Sequence, residues 1–280
     1  LTGGSGMVLS NFYGLSIAYD QAVPGGQTLV YLDPTQIKAY ADVAGITRNQ
    51  RAVANALQGM NIRNPVVNAV AMLPDDASAA RAYDDLSGAV YADAPVALTE
   101  ELSGVSDVLV AKAAAERGTG KGVDLWVTGF GRESQFEDDG NAHGLTAKSY
   151  GLLAGADMTT GDGFSFGGAL GVSNGSSEVD DDLGSTDANT IHGGLYAGYT
   201  VDGFSLLAGG NVASSNVSAS RNVDIGTFSD SLDDDVTLTG GVLFGEVSYR
   251  QNLSERAYAE PFARFTHVAT QSADVSESGG

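Results

Sequence analysis

The chain opens with two short apolar runs, Phe12–Tyr19 and Thr28–Leu32, separated by Pro24-Gly25-Gly26. This pattern predicts two strands and a turn. From residue 46 the period changes. Thr47-Arg48-Asn49-Gln50 followed by Ala54-Asn55-Ala56-Leu57 predicts a helix with Thr47 as its N-cap. Pro65, Pro74 and Pro95 divide the rest of the zone, as far as residue 120, into short helices. In the last of them Leu98, Leu102, Val105 and Leu109 recur at i, i+4, i+7 and i+11, one helical face. A helix over 96–116 would be about 30 Å long at ~1.5 Å per residue, the thickness of a bilayer core.

Beyond residue 120 the helical period is lost. Asp162-Gly163-Phe164-Ser165 returns as Asp202-Gly203-Phe204-Ser205, and Asp-Gly between alternating runs is a strong hairpin signal. Seven strands are predicted, at about 123–134, 146–158, 163–174, 189–201, 203–215, 236–250 and 257–270. Most approach the ~9–11 residues that a tilted strand needs to cross a membrane. Ser- and Asp-rich stretches such as 173–189 read as long polar loops, so that tight turns lie at one end and long loops at the other.

The strand faces admit two readings. Glu246, Ser248 and Arg250 share a face opposite Leu243, Val247 and Tyr249; Glu260, Arg264 and Thr266 share one opposite Ala259, Pro261, Ala263 and Phe265. A soluble sheet would turn the apolar set inward, whereas a membrane barrel turns it to lipid. Strand length and the asymmetry of turns and loops favour the barrel. In that reading Gly194, Gly198 and Gly209 face inward and keep a lumen open. The alternative is a secreted or surface, acidic, β-rich, adhesin-like interaction domain that is soluble. A general porin is a third option, which the helical zone at 46–120 argues against.

Composition narrows the classes. The 280 residues carry 35 acidic against 14 basic side chains, a net charge of −21, which offers no electrostatic footprint for nucleic acid. With no cysteine there is neither a disulfide framework nor a thiolate nucleophile. Charged residues are 18% and glycines number 38, a low charge density and a high glycine count that suit lipid-facing strands and tight turns. The first residues show no start methionine, basic n-region or apolar h-region, so the sequence is expected to be an internal piece of a longer precursor.

Chemistry is sparse. His143, His192 and His267 are scattered, in a loop, at a strand start and facing lipid or the rim, and no catalytic or metal role is read from them. Asp180-Asp181-Asp182 and Asp233-Asp234-Asp235 lack the alternating spacing of a calcium loop and read as solvated external loops. Glu246, Arg250, Glu260 and Arg264 are the best constellation, a polar lining that grips a helix or balances charge in a lumen. Trp126, Tyr249 and Tyr258 are candidates for an interfacial aromatic girdle. No catalytic, cofactor or metal site is assigned, and no enzymatic activity.

The order of these pieces resembles the C-terminal translocator region of bacterial autotransporters (type V secretion). The resemblance runs from Thr47-Arg48-Asn49-Gln50 with Ala54-x-Ala56-Leu57, through Leu86-Ser87-Gly88 with Tyr91, Leu125-Trp126-Val127 and Gly151-Leu152-Leu153-Ala154-Gly155-Ala156-Asp157. It continues through Gly194-Leu195-Tyr196-Ala197-Gly198-Tyr199, Gly245–Arg250, Glu260-Pro261-Phe262-Ala263-Arg264 and Glu277–Gly280. It implies a mainly β fold: an antiparallel up-and-down transmembrane β-barrel of twelve strands, preceded by a short helical region and a linker helix in its pore. It implies that 1–45 ends a β-rich passenger, 46–120 is a helical junction with the linker near 96–116, and 121–280 is the barrel. It implies the outer membrane of a Gram-negative bacterium, with the passenger exported to and anchored at the cell surface. Its partners would be outer-membrane lipid, the chain's own passenger and the barrel-assembly machinery, around a monomer. Two departures stand out. Ala89 follows the Leu-Ser-Gly motif where an acidic residue is usual, and the chain stops after about seven strands without an aromatic C-terminal end. The sequence is therefore expected to be truncated at both ends, with any catalytic passenger upstream of residue 1.

Overall fold

The computed structural model describes residues 10–20, 29–115, 121–273 and 278–279. Strands β1 (Tyr13–Asp20) and β2 (Leu29–Gln36) pair antiparallel. Four helices come next: α1 (Arg48–Gln58), α2 (Pro65–Ala71), α3 (Asp76–Asp85) and α4 (Ala89–Ala115). Each short helix starts where a side chain satisfies its free backbone N–H groups. Thr47 and Gln50 form a reciprocal capping box, with Gln50 N donating to Thr47 Oγ1 at 3.1 Å and Thr47 N to Gln50 Oε1 at 2.8 Å. Asn64 caps α2 ahead of Pro65, and Asp75 caps α3 through Ser78 N at 2.8 Å. Gly88, at φ +62°, makes the bend between α3 and α4.

Pro95 does not end a helix. It lies inside α4, which begins seven residues earlier than the stripe predicts, at Ala89 rather than 96. Proline removes one intrahelical hydrogen bond. Here the surrounding wall of strands keeps the helix continuous, and Thr99 Oγ1 donates to Pro95 O at 2.9 Å.

The remaining strands are β3 (Gly122–Phe136), β4 (Leu145–Thr159), β5 (Phe164–Val179), β6 (Gly184–Val201), β7 (Phe204–Ile225), β8 (Phe228–Tyr249), β9 (Gln251–Ser254), β10 (Ala257–Ala259), β11 (Phe262–Ser272) and β12 (Ser278–Gly279). The main sheet runs β11-β8-β7-β6-β5-β4-β3, every neighbour antiparallel, and β12 also pairs with β8. β3 and β11 are not paired with each other, so the sheet is a partial barrel, open on one side.

The seven predicted strands are all present, but two predicted loops and one strand need correction. Residues 173–189 and most of 216–235 are not loops: β5 and β6 continue to within four residues of each other, and β7 and β8 are 22 residues each. Serine and aspartate are poor strand formers, yet the second of these segments alternates them with inward Val217, Ala219, Val223 and Ile225, which packing holds in place. The strand expected over 257–270 splits at Glu260–Pro261. Proline cannot donate to the ladder, so β10 turns back on β9 and β11 starts afresh at Phe262.

The faces decide what alternation alone leaves open. Leu125, Leu170 and Leu195 point outward and are 83%, 73% and 73% exposed, whereas Glu246 and Ser248 are buried on the inner face. The outward apolar stretches are Phe164–Val172 on β5, Ile191–Val201 on β6 and Phe204–Val212 on β7. They match the ~9–11 residues of a membrane crossing. Above them the outward positions turn polar together, at Asn174, Asn189 and Ser214. Among the described residues no helix is long and apolar enough to cross a membrane; the strands carry the apolar belt.

Inside the curved sheet lies α4, which touches all seven of its strands. A cluster of Leu98, Leu102, Val105, Leu109, Leu153, Leu207, Leu238 and Phe244 joins helix to wall. A second core forms the cap: Phe12, Tyr40, Leu57, Val70 and Tyr83 pack with Val223 and Ile225 from the tip of the β7–β8 hairpin.

Candidate functional site

The helix-filled lumen is built from the stripe read in the sequence. Leu98, Leu102, Val105 and Leu109 are all buried, and each faces the wall. Two of them are seated by wall glycines. A Cβ on Gly194 would meet Leu109 Cδ1 at 2.5 Å, and one on Gly240 would meet Leu102 Cδ1 at 2.7 Å. Gly194, Gly198 and Gly209 face inward as expected, but they do not hold a lumen open. Gly209 lies under the Phe244 ring, Gly155 under Trp126 and Gly167 under Tyr196, and a Cβ on Gly198 would meet Ser165 Oγ at 2.8 Å. The missing side chains admit neighbouring ones, and at these positions the lumen is packed.

Ion pairs tie the helix to both edges of the sheet. Arg264 of β11 bonds Glu246 at 2.7 Å and Asp107 of α4 at 3.2 Å. Arg132 of β3 bonds Glu100 of α4 at 2.8 Å and approaches Asp107 at 3.8 Å. Of the four predicted lumen residues, Glu246 and Arg264 thus form one pair against the helix. Arg250 and Glu260 form another, at 2.9 Å, with Ser248 donating to Glu260 at 3.2 Å and Arg250 resting on the Tyr258 ring.

The girdle assignment of Trp126 is corrected. Its strand parity turns it inward between the outward Leu125 and Val127, where Lys112 lies 4.7 Å over its ring and its Nε1 is buried without a hydrogen-bond partner. Tyr249 faces outward at the tight-turn end, and Tyr258 is exposed in the β9–β10 hairpin.

His192 is also not where the sequence placed it. It sits well inside β6, not at its start, and faces the lumen. There Glu101 of α4, 3% exposed, meets the wall: His192 Nε2 lies 3.1 Å from Glu101 Oε1, Ser173 Oγ donates to the same oxygen, and Thr190 Oγ1 donates to Oε2 at 3.3 Å. Ser173 Oγ is 2.7 Å from the same His192 Nε2, while Nδ1 is buried and unpartnered. A serine–histidine–acid relay needs the acid on one ring nitrogen and the serine on the other, so this cluster is a grip and not a hydrolytic triad. Its signal lies in parity, since His192 shares the inward face of Gly194 and Gly198.

The remaining candidates lie at the outer end. His143, from the β3–β4 connection, bonds Asp181 through Nδ1 at 3.0 Å and Asp84 of α3 through Nε2 at 3.3 Å. Burial alone would lower its pKa, but the hydrogen bonds and charges of Asp84 and Asp181 outweigh burial and hold it above 6.5. His267 faces outward from β11 and is exposed. Asp180–Asp182 form a tight turn, and Asp233 and Asp235 are not in a loop but accept from Ser220 and Ser218 along the β7–β8 hairpin, at 2.7 and 2.6 Å. Among the described residues no three His, Cys, Asp or Glu side chains converge as a metal site.

The polarity of the assembly is plain. The cap sits at the end where the polar hairpins project: Arg221 Nη1 donates to Asp85 O at 2.6 Å and Asn49 N to Asn141 Oδ1 at 3.1 Å. α4 descends from the cap, and the chain re-enters the wall at Gly122, paired with Thr159 beside a tight turn.

The family model described as Autotransporter beta-domain matches residues 125–280. Two curated proteins, each named "Extracellular serine protease" and each from Serratia marcescens, are 25% and 24% identical over 90% and 88% of this chain. The chain spans 28% of the length of either. Among solved structures, the translocator domain of autotransporter NalP from Neisseria meningitidis is 11% identical, with TM-score 0.34, covering 65% of this chain and 83% of that one.

Proposed function

This chain belongs to the autotransporter β-domain family, and from that premise we propose that it exports its own N-terminal passenger through the barrel and then anchors it with α4 in the pore. The β-domain is an outer-membrane translocator of Gram-negative bacteria, with its passenger at the cell surface. The observation that carries the proposal is the course of α4: it touches every strand of the main sheet, its N-terminus meets the cap among the polar hairpins, and its C-terminus leads to β3 beside the tight turns. Outer-membrane barrels keep short turns in the periplasm and longer extensions outside. The cap therefore lies outside the cell, and everything upstream of it has passed through.

In this reading 1–45 closes the passenger, 46–120 is the junction and 121–280 is the wall. The unpaired edges of β3 and β11 would leave backbone groups unsatisfied in lipid, which calls for further strands and for the barrel-assembly machinery to close a monomeric barrel around α4. Any enzymatic activity belongs to the passenger.

Protease treatment of intact cells expressing the full-length protein tests the proposal. Cleavage within the cap, with 121–280 protected and fractionating with outer membrane, is expected. A cap that is cut only after the cells are opened, or a wall that stays soluble without detergent, refutes it; the second result would restore the soluble adhesin-like domain.

A further inference from the structure

The apolar stripe of α4 partly repeats every four residues. A slide of four residues toward the cap brings Leu102 to the level of Leu98, Leu109 to that of Val105 and Ala113 to that of Leu109. Ser106, arriving at the level of Leu102, and Ala113, too small for the Gly194 socket that Leu109 fills, spoil the match. Such a slide moves the helix about 6 Å at ~1.5 Å per residue. Helices in coiled coils face the same ambiguity, and a single buried polar residue removes it by making every other register leave that group unpaired.

Glu101 is placed to do this. It is the most buried acidic side chain of α4, 3% exposed, in the middle of the apolar stripe. Its two oxygens take Ser173, Thr190 and His192 from β5 and β6; toward the tight turns the same lines offer Ala169 and Gly171 before Ser173, and Gly194 and Tyr196 after His192, whereas toward the cap the next inward hydroxyls, Ser177 and Thr186, are already bonded to each other at 2.7 Å. Ser173 Oγ and His192 Nε2 both reach Glu101 Oε1, so a slide would take the carboxylate away from these donors and leave it buried. Ser106 and Asn211 mark the same depth, with Ser106 Oγ donating to Asn211 Oδ1 at 3.1 Å and Asn211 Nδ2 to Leu102 O at 3.3 Å.

We propose that Glu101 is the register-setting residue of the lumen: its capture by Ser173, Thr190 and His192 defines the depth at which α4 stops, and so where export ends. This rests on α4 being the threaded linker and adds the stopping point. Glu101 is a positioning residue.

The chain has no cysteine, so introduced pairs report depth directly as disulfides in the full-length protein in its outer membrane. Gly194→Cys with Leu109→Cys reads the observed register; Gly194→Cys with Ala113→Cys reads a helix drawn one turn toward the cap, and with Val105→Cys one drawn the other way. With Glu101 in place only the 194–109 bond is expected, and Glu101→Gln, which keeps the shape and an acceptor oxygen, preserves it. Glu101→Leu with Val105→Glu moves the carboxylate one turn along the helix, and the bond should shift from 194–109 to 194–113. If 194–109 persists in that double variant, the proposal is overturned while threading stands. If none of the pairs forms even with Glu101 present, threading itself is wrong. Should the double variant fail to reach the membrane, Glu101→Leu alone decides: a mixture of partners supports the assignment, and 194–109 alone overturns it.

Discussion

Gly194 of β6 is the socket for Leu109 of α4: a Cβ at Gly194 would stand 2.5 Å from Leu109 Cδ1, with the Asn211 Cβ and Gly210 O each at 3.3 Å. A side chain at Gly194 has no free space to enter. Gly194→Val should therefore cost about 1–3 kcal/mol, the range for forcing methyl groups into a packed core. Leu109→Ala should cost about 2–5 kcal/mol by leaving a cavity. The double variant should be less destabilised than the sum, by a coupling of about 0.5–3 kcal/mol. Thermal unfolding of the folded protein in detergent, run as a double-mutant cycle, measures it; strict additivity would mean that the two residues do not touch.

The hairpin tip and the cap share one core, and this predicts a separable defect. Ile225 is 1% exposed among Val223, Val70 and Tyr83. Ile225→Asp places an unpaired charge there, at a cost of about 3–5 kcal/mol. The outward Asn222→Asp, on the same strand, adds the same charge to water. Limited proteolysis should then nick α1–α3 rapidly in the first variant only, while the wall of both stays resistant. Equal resistance of the cap in the two variants would show that it folds without the hairpin.

How much of this is legible in the sequence depends on which signal each feature leaves. The stripe at Leu98, Leu102, Val105 and Leu109 is legible because one helical face is buried along its whole length. The seven strands are legible from alternation and Asp-Gly turns. The projecting halves of β7 and β8 are not, because their outward residues are serine and aspartate, which carry loop composition while the inward residues carry the fold. Parity assigns Glu246 and Arg264 to one face, but cannot give that face a direction. Trp126 is misplaced by the sequence because an aromatic near a strand end fits a girdle and a packed lumen equally, and only its neighbours Leu125 and Val127 separate the two. The Glu101–His192 grip joins a helix to a strand 91 residues away, and no local pattern reports such a pair.

His143 should make the docking of the cap depend on pH. Asp84 and Asp181 hold its pKa above the ordinary 6.5. A raised pKa means that the folded state favours the proton, so the stabilisation is complete below 6.5 and fades as pH rises through the higher folded value. The group is partly exposed, so about 0.5–1 kcal/mol is expected. Proteolytic susceptibility of α1–α3 should rise from about pH 6 toward about pH 8.5 in the native chain, and His143→Gln should flatten the difference. A profile unchanged by the substitution would place the pH dependence elsewhere.

The outward belt makes the last prediction, and the one most specific to a membrane wall. Leu195 lies in the middle of the apolar stretch of β6, and Asn189 lies beyond Ile191, where the outer face has turned polar. A lysine facing lipid costs about 2–4 kcal/mol at the midplane and about 0–1 near an interface. Leu195→Lys should thus destabilise the folded barrel in bilayers far more than Asn189→Lys, although both add one charge to one face of one strand. In a water-soluble sheet the order would reverse in sign, because exposing a lysine in place of leucine relieves an apolar surface. Denaturant unfolding from lipid vesicles distinguishes the two: a deficit confined to Leu195→Lys locates the bilayer between Val201 and Ile191, and indifference to both substitutions would remove lipid from the picture.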